Sequence, residues 1–174
     1  MELLKALLHR RSVRTYKEEP VSEENLKKIL YAGLLSPTGR NKKPWEFVVV
    51  QDKDQLVKMS QSRIAGAAML AGAAAAVVVL GDEEKTDVWT EDCSIAMSNM
   101  HLMASTLGVG SCWIQGRLRE ASEGVTTEEY LRNLLGFPSN MRLEAILSLG
   151  MPDKEMAPHT MEEMDESKIH WEKF

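Results

Sequence analysis

The longest run of apolar and small residues, at positions 65–80, limits the fold more than any other feature of this chain. The run is shorter than the about 20 apolar residues that a membrane-spanning helix needs. Gly66 and Gly72 fall inside it, and the polar stretch that begins at Gly81 ends it. We therefore predict a small-residue helix or loop followed by a buried strand over residues 75–80, and we expect no membrane span.

Helical and strand-like segments are mixed along the rest of the chain. Because they do not alternate strictly, we predict the α+β class, and the length of 174 residues predicts a single domain, 1–174. Apolar spacing and helix-start signals predict helices at residues 2–9, 23–35, 52–63, 87–107 and 126–135, and strands at 45–51, 75–80, 111–115 and 142–149.

Composition and charge exclude several classes of protein. Hydrophobic residues make up 44% of the chain, which is too large a share for a disordered protein. The net charge is −5 and no basic stripe follows a predicted helix, so we do not expect nucleic acid as a partner. Cys93 and Cys112 lack metal-type spacing, and the histidines are scattered, so we expect no metal site. Two cysteines and a start without a signal-peptide pattern favour a reducing, cytoplasmic location.

A cluster of cations, RRSVR at residues 10–14, stands out against this acidic background. It follows a short amphipathic segment, so it lies where a helix ends and the chain turns. Guanidinium groups form paired, charge-assisted hydrogen bonds with phosphate, and the serine adds a hydroxyl. The cluster therefore indicates a phosphate site, while a solvated helix end favoured by the helix dipole is the alternative.

Further motifs follow the cluster in a fixed order. They are SPT at residues 36–38 with Asn41 and the Pro44–Trp45 pair, the segment 92–116 that ends in GVGSCWIQG, and the ending IHWEKF at 169–174. With residues 10–14, this order of motifs resembles the nitroreductase-like flavoproteins over nearly the full chain. The resemblance implies an α+β sandwich with a central, mainly antiparallel sheet flanked by helices, in an intertwined homodimer.

The resemblance also implies a cofactor and a reaction. Two FMN molecules would lie at the subunit interface, with parts of each site drawn from both chains. NADH or NADPH would reduce the flavin, and hydride would pass from flavin N5 to a small electron-poor acceptor such as a nitroaromatic or a quinone. Because FMN carries the chemistry, no catalytic side chain is expected. A non-catalytic flavin carrier or sensor, and a reductive dehalogenase of the same fold, are the alternatives.

The first motif would bind the phosphate end of the cofactor and one edge of its ring. The resemblance places Arg10 and Ser12 on the FMN phosphate, with Arg11 in the same motif. Arg14 would lie nearer the ribityl chain and the N1–C2 edge of the ring. A cation at that edge stabilises the negative charge that develops when the flavin is reduced.

Two other segments would complete the cofactor site. Pro37 and Thr38 match a loop that reaches across the dimer to the flavin, and the Asn41 amide suits the polar edge of the ring. The segment beside the central ring would be Ile114, Gln115 and Gly116, where a backbone N–H can meet flavin N5 and a small residue allows close approach. Trp113 would form a wall of the same site.

Each of these assignments has a structural alternative. The loop after residue 36 could be an ordinary capped turn, with Asn41 as a turn asparagine. Trp113 could be a buried strand residue, and Cys112 an inert buried thiol.

The chain departs from the family pattern near its end. Many relatives carry a Lys or Arg pair there that completes the phosphate site, and the corresponding positions here are Thr160 and Met161. His159 is the nearest possible substitute. The tail, residues 152–174, lacks clear periodicity, and its apolar residues predict that it packs on the dimer.

Overall fold

The structure is a computed structural model that describes residues 2–174; Met1, part of the predicted domain 1–174, lies outside the described residues. The helices are α1 (Leu3–His9), α2 (Glu23–Leu34), α3 (Lys53–Met59), α4 (Trp89–Thr106) and α5 (Thr127–Leu135). The strands are β1 (Trp45–Val50), β2 (Ala75–Asp82), β3 (Gly110–Gln115), β4 (Glu120–Ser122), β5 (Val125–Thr126) and β6 (Met141–Gly150). Short 3-10 turns lie at Gly39–Asn41, Ala68–Gly72, Met161–Glu163 and Glu166–Lys168.

A four-stranded sheet in the order β1-β2-β6-β3 forms the centre, and every neighbouring pair is antiparallel. One face packs against α2 and α4, and the other packs against α3, α5 and the turn at Ala68–Gly72. The predicted buried strand is β2, and every residue in it is buried, because it has a strand on each side and helices on both faces. These observations confirm the α+β class and the antiparallel sheet.

Side-chain caps explain where three of the helices begin. Ser22, Asp52 and Thr126 each accept a hydrogen bond from the backbone N–H three residues later, at 3.2, 2.9 and 3.0 Å. Each bond satisfies a donor that has no partner within the helix. α5 ends at Gly136, whose φ of 76° is the left-handed conformation that glycine favours at this position.

Several predicted boundaries were wrong. The helix predicted over 52–63 ends at Met59, because the chain then tightens into turns in which Gln61 N–H bonds Lys58 O and Ser62 N–H bonds Met59 O. The buried strand continues to Asp82, since its end still pairs with β6. The hairpin of β4 and β5 was not predicted. No helix among residues 2–174 is both long enough and apolar enough to cross a membrane.

Gly81 provides a test of the packing between β2 and α4. A Cβ at Gly81 would overlap the Trp89 ring and lie 3.0 Å from Cys93 Sγ. We expect Gly81→Ala to lower the free energy of unfolding by about 1–3 kcal/mol, because the buried contact becomes overpacked. Urea denaturation measures the change. In the control Gly72→Ala, no atom lies within 4 Å of the new Cβ, and stability should be unchanged or slightly higher. Equal losses in both variants would contradict this packing.

Candidate functional site

The segment that follows α1 runs along the outer edge of β3. Ser12 forms a parallel bridge with Ser111, and Val13 N–H donates to the Ser111 carbonyl at 2.9 Å. Tyr16 then pairs with Pro152, and its hydroxyl donates to the Val13 carbonyl at 2.7 Å. Burial raises the pKa of the Tyr16 hydroxyl, so this hydroxyl stays protonated as a donor. The arginine motif is therefore held against the sheet by backbone pairing.

The side chains of this motif have different partners. Successive side chains of an extended segment point to opposite sides. Arg10 Nη1 donates to His101 Nε2 at 3.0 Å, and Arg14 Nη1 donates to the Ser12 carbonyl at 3.4 Å. Arg11 instead donates to the carbonyl of Ala157 in the tail. The structure thus brings Arg10, Ser12 and Arg14 together on the sheet side and directs Arg11 to the tail.

His101 was not predicted to belong to the site. It lies on α4, is 6% exposed, and its Nδ1 is 2.6 Å from Ser111 Oγ. Burial, with a smaller contribution from Arg10, lowers its pKa to about 4, so the imidazole is neutral at pH 7. A histidine on the otherwise apolar face of a predicted helix was the signal in the sequence, but its partner Arg10 is 91 residues away in the chain.

Cys112 follows Ser111 on β3 and lies beside Ser12 and Arg14. Burial raises the pKa of its thiol, and the lowering effect of Arg14 is smaller. The thiol is therefore protonated at neutral pH and a poor nucleophile, in line with the alternative that it is inert.

β3 is the outermost strand of the sheet, and its outer edge is paired only at Ser111 within the described residues. Trp113 packs against the core, and its Nε1 donates to Gln115 Oε1 at 2.9 Å. Gln115 Nε2 lies 3.3 Å from the Glu144 carbonyl. Ile114 is 1% exposed. These side chains are largely used within the fold, so the backbone edge of residues 113–116 is what a ligand could contact.

Gly116, at the end of this edge, has a packing reason to be glycine. A Cβ there would lie 2.5 Å from Leu143 Cδ2 and 2.8 Å from its Cγ. The Gly116 N–H donates to the Glu144 carbonyl at 3.2 Å. Packing against the core leucine is thus a reason for this glycine within the fold, separate from the close approach of a ligand that was predicted.

The predicted loop at residues 37–41 lies along the start of α4. Gly39 N–H donates to Asp92 Oδ1 at 2.9 Å, and Thr38 Oγ1 accepts from Lys43 N–H at 3.3 Å. Pro37 and Asn41 are exposed, and Asn41 has a φ of 56°. Its neighbours Arg40 and Lys43 also adopt left-handed backbone, with φ of 51° and 47°. This conformation is unfavourable for residues other than glycine, so the loop stores strain.

The loop and the arginine motif occupy different parts of α4. Asp92, which holds the loop, precedes His101, which holds Arg10, by nine residues. At a rise of 1.5 Å per residue the two points are about 14 Å apart along the helix axis. Within one chain the predicted cofactor residues therefore form two separate groups.

The tail supplies no cation at residues 160 and 161, where the sequence was expected to depart from the family pattern. Thr160 N–H donates to Glu163 Oε1 at 2.9 Å and begins a short turn, and Met161 is 58% exposed. His159 Nδ1 lies 2.7 Å from Glu163 Oε2, so this possible substitute is already paired with an acid. Arg10 and Arg14 are the cations that remain on the sheet side of the motif.

Glu144 is a second residue that was not predicted. The register between β2 and β6 shifts at Glu144, so this residue bulges from the strand and has no partner on β2. It is 3% exposed, and its Oε1 accepts from Ser94 Oγ at 3.1 Å. No protein donor among residues 2–174 reaches its Oε2. Burial raises the pKa of this carboxyl, although Ser94 and Arg117 act in the opposite direction. A charged residue within an apolar strand was the signal in the sequence.

The described residues contain no cluster of three or more histidine, cysteine or acidic side chains that could hold a metal ion.

A sequence model of the Nitroreductase family matches residues 7–70 and 60–151, which together cover most of the chain. The chain belongs to the nitroreductase family.

Members of the nitroreductase family align with nearly the whole chain. A solved structure described as an FMN-dependent nitroreductase from Clostridium difficile R20291 is 42% identical and has a TM-score of 0.96, over 98% of this chain and 99% of that chain. A protein of Archaeoglobus fulgidus, provisionally named NADH dehydrogenase/NAD(P)H nitroreductase, is 38% identical over 99% of both chains. A protein of the same name from Methanothermobacter thermautotrophicus is 34% identical and covers 100% of this chain and 88% of its own. The superposition confirms the predicted nitroreductase-like fold.

Glu144 predicts a pH dependence of stability. Its pKa is higher in the folded chain than the ordinary value of about 4.3, so the folded state retains a proton that the unfolded state loses. Stability therefore falls as pH rises from the unfolded pKa through the folded one. Glu144→Gln has no such proton and keeps an oxygen for Ser94. We expect the Tm of this variant, relative to wild type, to increase as pH rises from acid to neutral.

The control for this measurement is Glu46→Gln, which neutralises an exposed carboxylate on β1. Its Tm difference from wild type should stay nearly constant over the same pH range. A constant difference for Glu144→Gln would show that the buried carboxyl does not retain its proton.

Proposed function

We propose that this chain is an FMN-dependent oxidoreductase that transfers hydride from NADH or NADPH to a small electron-poor acceptor, such as a nitroaromatic or a quinone. The observation that carries the proposal is the pairing of Ser12 with Ser111, which places the cationic motif beside the open edge of β3. The names of the relatives, an FMN-dependent nitroreductase and NAD(P)H nitroreductases, support the same cofactors.

The donor groups on this edge fit the chemistry of FMN. Arg10 and Ser12 offer guanidinium N–H groups and a hydroxyl, which are suitable donors for a phosphate dianion. The outer backbone edge of residues 113–115 can meet the polar rim of a flat heterocycle, while the Gly116 N–H is already bonded to the Glu144 carbonyl. When bound there, FMN supplies hydride acceptance and donation at N5. The chain itself then binds, orients and places positive charge.

Arg14 has the electrostatic role in this proposal. It is exposed and donates a long hydrogen bond, 3.4 Å, to the Ser12 carbonyl, so N–H groups of its guanidinium remain available to a ligand. A fixed cation near the N1–C2 edge of the ring stabilises negative charge that develops there.

We also propose that the working form is an intertwined homodimer. Within one chain the loop at residues 37–41 and the arginine motif contact α4 at points about 14 Å apart along its axis. In the proposed dimer the loop of a second copy would approach the same ligand. Large apolar side chains remain exposed on α1, at the end of α2 and in the tail, and contiguous exposed apolar surface is typical of protein–protein interfaces. They include Leu3 at 64%, Leu35 at 83%, Trp171 at 83% and Phe174 at 107% exposure. The tail over residues 152–174 would cover part of the partner.

A reducing compartment, the cytoplasm, suits the free Cys93 and Cys112.

The purified protein tests the proposed function directly. It should carry flavin absorbance or acquire it when FMN is added, and NADH or NADPH should bleach that absorbance under anaerobic conditions. A nitroaromatic or quinone should then restore it. A dimer that cannot be loaded with FMN would overturn every flavin function. A loaded protein that neither nicotinamide reduces would instead identify a carrier or sensor, and turnover of halogenated aromatics alone would identify a dehalogenase.

Arg14→Ala tests the assigned role of this cation. Loss of a charge-assisted hydrogen bond should weaken FMN binding by about 10- to 100-fold or slow reduction by NAD(P)H. Fluorescence titration of FMN and stopped-flow reduction measure the two effects. Lys17→Ala is the matched control, because it removes an exposed cation from the same segment. If the two variants behave alike, Arg14 has no specific role.

A further inference from the structure

A buried hydrogen-bond relay connects α4 to the arginine motif. His101 accepts from Arg10 Nη1 at its Nε2, at 3.0 Å, and its Nδ1 lies 2.6 Å from Ser111 Oγ. Ser111 is 2% exposed and is the residue whose backbone pairs with Ser12. The relay therefore fixes the position of the Arg10 guanidinium relative to the edge of β3.

The protonation state of this relay follows from its partners. A guanidinium only donates, so His101 Nε2 must be the unprotonated nitrogen, and Nδ1–H donates to Ser111 Oγ. Protonation of Nε2 would remove the acceptor and place a second cation against Arg10. Burial and Arg10 both oppose that protonation. Among the described residues, Arg10 is the charged group whose field lowers the pKa of the imidazole. The neighbouring Cys112 thiol is neutral.

We propose that His101 is the positioning residue for Arg10, holding its guanidinium ready for the phosphate of FMN. This inference rests on the proposed function. One of the five N–H donors of Arg10 is used on His101, and the others remain available for an anion. An arginine already held in place loses less side-chain freedom when the ligand binds, which strengthens binding.

The tail adds little positive charge to the proposed phosphate site, so the position of Arg10 is especially important in this chain. Thr160 and Met161 carry no charge, and His159 is paired with Glu163, so these positions add no free cation. Arg11 is bound to the carbonyl of Ala157 in the tail. The phosphate site then depends strongly on Arg10, and the neutral imidazole behind it compensates for part of the missing charge by preorganisation.

Titration of FMN into the flavin-free protein tests the inference without any turnover. We expect His101→Leu to weaken FMN binding by about 3- to 10-fold, the range that corresponds to one long side chain losing its fixed position. His101→Gln should restore most of the affinity, since a carboxamide can accept from Arg10 and donate to Ser111. His9→Leu is the control, because His9 is an exposed residue of α1 whose Nδ1 bonds the Lys5 carbonyl.

A double-mutant cycle separates positioning from a general loss of packing. In an Arg10→Ala background, His101→Leu should cause no further loss of FMN affinity, because the residue it positions is absent. Additive effects of the two substitutions would overturn the inference. So would a His101→Leu variant that is folded and binds FMN as tightly as wild type.

The pH dependence of binding provides a readout that does not require His101→Leu to fold. The ratio of the FMN dissociation constants of wild type and His101→Gln cancels the titration of the phosphate itself. This ratio should stay nearly constant down to about pH 5 and then rise by up to about 2-fold at pH 4, because only the wild type gains a proton on the imidazole there. A flat ratio overturns the inference. Failure of the wild type to bind FMN at any pH would instead overturn the proposed function.

Discussion

The antiparallel pairing of β2 with β6 is the constraint on which the rest of the structure depends. These strands form the middle of the sheet, and helices cover both faces, so the sheet has only the outer edges of β1 and β3 available. Unpaired edges expose backbone donors and acceptors that must find partners. The segment with Ser12 and Val13 uses part of the β3 edge, and we propose that a ligand binds along the remainder. Central pairing thus determines where the functional surface lies.

Helix α4 organises that surface because it contacts each of its parts. Asp92 holds the loop at residues 37–41, Ser94 bonds the bulged Glu144, and His101 bonds Arg10. These contacts come from one rigid element buried against the sheet, so their spacing is determined by the helical rise. The separation of the loop from the arginine motif follows from this spacing, and in the proposed dimer the loop of a second copy would approach the same ligand.

Local signals in the sequence were sufficient for most elements. The caps at Ser22 and Thr126 and the glycine at 136 have local causes, so the helices they bound were predicted correctly. The end of α3 was wrong because the apolar pattern continues into a turn that only its hydrogen bonds define. The hairpin of β4 and β5 was missed because strands of three and two residues are too short to show a period.

By itself, the sequence determined the α+β class, the buried central strand and the family, because these follow from periodicity and from motif order along the chain. The arginine motif was also evident, since it depends on five consecutive residues. Only the tertiary structure decided that Arg10 and Arg11 serve different surfaces, that His101 stands behind Arg10, and that a bulge buries Glu144 under α4. Those outcomes depend on contacts between residues far apart in the chain, about which local pattern carries no information.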